Sequence, residues 1–68
     1  MSRWQKIFSD ELLYRAEIVK AVLEDHQIDV IILNNKDSNY HWGTHDLMVT
    51  PENVLEAIKI IKDKINFE

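Results

Sequence analysis

The sequence contains no cysteine, which excludes a disulfide, a thiolate–zinc site and a thiol nucleophile. One glycine and one proline in 68 residues do not fit a low-complexity or loop-dominated chain. Long apolar runs are missing too. The longest, Val30-Ile31-Ile32-Leu33, is far short of the roughly 20 residues that span a bilayer. The opening Met1-Ser2-Arg3-Trp4-Gln5-Lys6 lacks the apolar stretch of a secretory signal. A cytoplasmic protein with no membrane partner is therefore expected. Basic side chains are scarce: eight against twelve acidic ones give a formal charge of −4. That balance offers little to a phosphate backbone, so no nucleic-acid partner is expected.

What remains, 8.1 kDa with 46% hydrophobic residues, suits a single α+β domain over residues 1–68. A chain this short buries only about 60% of its unfolded surface, so the core must be thin. Trp4–Phe8 is aromatic and β-branched and reads as a strand. Ser9-Asp10 follows, two residue types that cap helices by accepting from free backbone N–H groups. Leu12, Ala16, Val19 and Leu23 then mark one face of a helix ending near His26-Gln27, with Leu13, Ile18 and Val22 widening the stripe. Glu11/Arg15 and Glu17/Lys20 read as ion pairs on its solvated surface. Ile28–Leu33 is the clearest strand, closed by Asn34-Asn35. Residues 34–45 read as a polar loop, with Gly43 supplying a positive φ for its turn. Leu47 and Val49 against Met48 give a third strand over 46–50. Thr50-Pro51-Glu52 announces a second helix, threonine capping and proline at its first position. Val54, Ile58, Ile61 and Ile65 form its stripe, with Ala57 beside them.

The order is βαββα: a ferredoxin-like sandwich of three mostly antiparallel strands with two helices on one face, lacking the last strand of the full unit. Apolar residues fall on both faces of the sheet. Ile31, Leu33 and Met48 occupy the face without helices, where a solvated sheet shows polar alternation. The missing strand also leaves the edge of the first strand open. A homo-oligomer is expected, unless the loop or the tail Asn66-Phe67-Glu68 folds back over that face.

Candidate chemistry is sparse. His41 and His45, four apart with Asp46 adjacent, suit a shared metal on a helix, but Gly43 interrupts them and loop histidines are the simpler reading. Tyr40 and Trp42 are aromatic residues in a polar loop, which either anchor a partner or cover the loop's own underside. His26 follows the last apolar residue of the first helix and suits a C-terminal capping role. No nucleophile–base pair, phosphate loop or carboxylate cluster is recognisable, and Asp37 and Asp46 stand isolated. No catalysis, metal or cofactor is expected.

Ala16-Glu17-Ile18-Val19-Lys20-Ala21-Val22-Leu23-Glu24-Asp25-His26-Gln27-Ile28, followed by Leu47-Met48-Val49-Thr50-Pro51-Glu52-Asn53 and Ala57, resembles a small bacterial family of prokaryotic signal-transducing proteins of unknown function. That family is related in fold to the PII nitrogen-regulatory proteins. The resemblance covers residues 6 to about 62 and rests on fold signals. Arg15 departs from it where glutamate is common. Gln27 departs where glycine usually closes the helix, which either asks Gln27 for a left-handed conformation costing roughly 1 kcal/mol or requires the helix to end differently. The resemblance implies a PII-like regulatory protein whose 34–45 loop contacts partners; no nucleotide-binding motif accompanies it.

The expected function is a small cytoplasmic regulatory or adaptor module, not an enzyme. It would bind a protein or small ligand through the 34–45 loop and the open sheet face, using Tyr40, Trp42, Ile31, Leu33 and Met48. The alternative is a structural homo-oligomer, or a subunit of a larger complex, with no ligand of its own. A metal-responsive loop built on His41, His45 and Asp46 is a third reading.

Overall fold

The computed structural model describes residues 3–37 and 42–65, with the backbone alone at Asp37 and Trp42. Along the chain come β1 (Gln5–Asp10), α1 (Leu13–Asp25), β2 (Ile31–Asp37), β3 (Trp42–Val49), a 3-10 turn (Pro51–Asn53) and α2 (Val54–Lys64). The three strands form one sheet in the order β1–β3–β2, and both neighbours of β3 run antiparallel to it. The fold is α+β, with β1 and β2 parallel to each other across the central strand.

One buried cluster joins Val19 and Leu23 of α1, Leu47 and Val49 of β3, and Ala57 and Ile60 of α2, together with Ile28 and Val30 on the approach to β2. Both helices therefore share the face of the sheet that carries Leu47 and Val49. Each large apolar side chain buried there contributes about 1.5–3 kcal/mol. Ile7, Phe8, Ile32 and Val54 pack around the cluster.

Several local expectations need correction. Residues 34–45 are mostly strand: Asn34 pairs with His45, Asn35 with Thr44, Lys36 with Gly43 and Asp37 with Trp42. Asn34, Asn35 and Lys36 are exposed and need no apolar side chains, so the polar composition of these strand residues imitates a loop. Gly43 has no positive φ. Its role is close approach, because a Cβ there would lie 2.8 Å from the Asn35 carbonyl oxygen. Ile28 and Val30 are buried but precede β2, which starts at Ile31.

The Ser9-Asp10 cap does not form. β1 runs through Asp10, and α1 begins after Leu12 with no side-chain cap. The Asp10 carboxylate instead accepts from the Leu12 N–H (2.8 Å) and faces Arg15 (3.6 Å), turning the chain into the helix. Lys20 reaches forward to Glu24 (3.1 Å), although Glu17 is the partner its spacing suggests. Leu12, Leu13 and Ile18 are exposed, so the buried stripe narrows to Ala16, Val19 and Leu23. On α2 it runs through Ala57 and Ile60, leaving Ile58 exposed. Thr50 precedes the 3-10 turn rather than α2; its hydroxyl accepts from Asn53 Nδ2 (3.2 Å).

The end of α1 follows the sequence closely. Gln27 adopts φ 64°, its N–H donates to Glu24 O (2.9 Å), and the Ile28 N–H donates back to Leu23 O (3.1 Å). That pair of bonds is a Schellman motif, and the apolar contact that usually accompanies it is supplied by Ile28 and Leu23 in the core. His26 Nδ1 lies 2.9 Å from Val22 O, so its ring N–H caps a carbonyl of the last turn.

Candidate functional site

The register decides what lies on the sheet face away from the helices. Side chains alternate along a strand, so with Leu47 and Val49 facing the helices, Thr44, Asp46 and Met48 face the other way. Lys6 and Ile31 flank Met48, Ser9 and Leu33 flank Asp46, and Asn35 sits beside Thr44. Lys6 and Phe8 fall on opposite faces although two residues apart, because β1 carries a bulge between them. Ile7, in that bulge, packs against the core and not on the open face. Ile31, Leu33 and Met48 do share the open face. Trp42 contributes its backbone to the start of β3, and Tyr40 and His41 lie outside the described residues.

An open depression of about 490 Å³ lies here, lined by Lys6, Leu33, Asn34, Asn35, Asp46 and Met48. Its centre is Asp46, only 6% exposed although no helix covers it among the described residues. Burying a carboxylate is costly unless its lone pairs are satisfied. Here Ser9 Oγ donates to Asp46 Oδ1 at 2.7 Å and Thr44 Oγ1 donates to the same oxygen at 2.9 Å. The Ser9 hydroxyl is the main cause that holds the Asp46 carboxyl below its ordinary value. Burial opposes it, while Thr44, the Lys6 ammonium and Asn35 add to the lowering. Asp46 is thus a fixed, ionised acceptor joining β1 to β3.

The sequence reading missed this group by assigning Ser9 to a helix cap and Asp46 to isolation. The available signal was the alternation itself: Thr44 and Asp46 are two apart on a strand and must share a face. The same alternation separates His45 from Asp46, which point to opposite sides and cannot both ligate one ion. No family model matches the chain, and no curated protein or solved structure matches it either. No helix among the described residues is long and apolar enough to cross a membrane.

Proposed function

We propose that this chain is a small cytoplasmic regulatory or adaptor module, without catalytic activity, that engages a protein partner through the helix-free sheet face. The observation that carries the reading is the hydrogen-bonded Asp46 at the centre of that face, with Leu33, Met48 and Ile31 around it. A rigid polar centre beside accessible apolar side chains fits a partner that inserts an apolar side chain over Leu33 and Met48 and presents a polar group to Lys6 and Asn35. Tyr40 and Trp42 are proposed to extend this contact. The order βαββα with strands β1–β3–β2 is that of a ferredoxin-like unit without its last strand. It supports the resemblance to the PII-like signal-transducing family. A carboxyl held below its usual range also suits a binding or structural role better than proton transfer near neutrality.

The test is to pass cell extract over immobilised wild-type and Leu33→Asp proteins and compare what is retained. A protein held by the first and lost from the second supports the sheet-face reading; identical retention refutes it. The structural homo-oligomer is the second reading, favoured by the apolar side chains exposed on the helices.

A further inference from the structure

We propose that a second copy of this chain docks on the outward face of the helix layer, α1 of one protomer lying on α2 of its partner. This goes beyond the sheet-face reading, because it uses the opposite side of the molecule and leaves that face free.

Among the described residues, one large hydrophobic on the sheet face is strongly exposed, Leu33 at 48%. The helix layer and its approach expose six: Leu12, Leu13, Tyr14, Ile18, Leu55 and Ile58. Leu55 is 82% exposed, Tyr14 57% and Ile18 45%, at positions where a solvated helix would carry lysine or glutamate. Their spacing gathers them. At about 100° per residue, Tyr14, Ile18, Ala21 and Asp25 form one ridge roughly opposite the buried Ala16, Val19 and Leu23, with Glu17 at its side. Leu55, Ile58, Lys59 and Lys62 form the matching ridge of α2, opposite Ala57 and Ile60, while Glu56 and Asp63 fall on its flank.

Charge selects a second copy as the occupant. The α1 ridge is apolar and acidic, through Glu17 and Asp25, whereas the α2 ridge is apolar and basic, through Lys59 and Lys62. The two helices follow antiparallel strands, α1 after β1 and α2 after β3, and so run antiparallel on the sheet. A two-fold axis along the groove between them lays each α1 antiparallel on the partner's α2. Glu17 then faces the Lys59–Lys62 end, and Leu55 falls near the small side chain of Ala21. Both contacts are the same contact made twice, as a closed isologous dimer requires. The molecule is a slab of 35 × 35 × 15 Å, whose broad face can supply the roughly 800 Å² per partner of a standard interface.

The test is light scattering on size-exclusion fractions of the full chain across a dilution series. The expected mass is twice 8.1 kDa. Leu55→Asp should reduce it to the protomer mass with unchanged far-UV circular dichroism, because the side chain is exposed, while Leu33→Asp should leave the dimer intact. The double variant Lys59→Glu/Lys62→Glu and the double variant Glu17→Lys/Asp25→Lys should each run as protomers, and their equimolar mixture should recover the dimer. A wild-type protomer mass at every concentration overturns the proposal. So does a dimer broken by Leu33→Asp but not by Leu55→Asp, which would put the second copy on the sheet face.

Discussion

Gln27 is the residue whose replacement should make this protein more stable. Its φ of 64° lies in the left-handed region, where a side chain with a Cβ costs about 1–2 kcal/mol and glycine costs nothing. The backbone bonds that define the helix end, Gln27 N–H to Glu24 O and Ile28 N–H to Leu23 O, involve no atom of the Gln27 side chain. That side chain is also exposed, so Gln27→Gly removes no packing. Against the relief stands the greater freedom of glycine in the unfolded chain, about 0.4–1 kcal/mol. The net gain should be about 0.5–1 kcal/mol. At about 4–8 °C per kcal/mol for a domain of this size, Tm should rise by about 2–8 °C. Thermal and urea unfolding of three proteins measure it: wild type, Gln27→Gly and Gln27→Ala. Alanine keeps the Cβ in the strained region and should bring no gain. Equal stabilisation by both variants, or a loss on glycine, would refute the account of the helix end.

Other substitutions test the remaining contacts. Gly43→Ala places a Cβ against the Asn35 carbonyl and should cost about 1–3 kcal/mol in urea unfolding; an unchanged midpoint would show that the strands separate without penalty there. Leu47→Ala, fully buried on the central strand, should cost about 2–5 kcal/mol, and a loss below 1 kcal/mol would mean the site collapses around the smaller residue. Ser9→Ala removes the shortest hydrogen bond to Asp46 and should cost about 1–2 kcal/mol by the same assay, whereas wild-type stability would make that bond dispensable. Because the folded state holds Asp46 below its ordinary 3.8, the unfolded chain binds its proton first as pH falls. The stabilisation is complete above that value and lost as pH drops through the folded one, so Asp46→Asn should flatten the acid limb of the stability profile. Parallel acid limbs for the two proteins would contradict this.

The elements with apolar period were legible from the residues alone. Ala16, Val19 and Leu23 mark the buried side of α1 because a helix has one core-facing stripe, and Gln27 marks its end because Ile28 resumes the apolar pattern. Polar strand residues were not legible. Asn34, Asn35 and Lys36 carry turn propensity, and only cross-strand pairing with β3, which a local window does not contain, makes them strand. Ser9 illustrates the same limit: beside an apparent helix start it reads as a cap, but its partner Asp46 is brought to it by the β1–β3 register. The bulge at Ile7 hid the faces of β1, since one extra residue reverses every side chain beyond it. That Ile31, Leu33 and Met48 share the open face was foreseen, although Lys6, Ser9, Asn35, Thr44 and Asp46 make its centre polar. The exposure of Ile18 and Ile58 was not foreseen, because a helix stripe read from sequence counts apolar residues without knowing which a sheet will cover.

The sheet's central strand is also the last to be made. Among the described residues β1 and β2 pair with no strand other than β3, and synthesis delivers both before it. At roughly 5–20 residues per second, the stretch from Asp10 to Trp42 takes roughly two to six seconds, during which β1 has no strand to pair with. Neither strand pair of the final sheet can form in that interval, because both need β3. A chain that stops before β3 therefore keeps β1 and β2 but lacks the strand that holds them side by side.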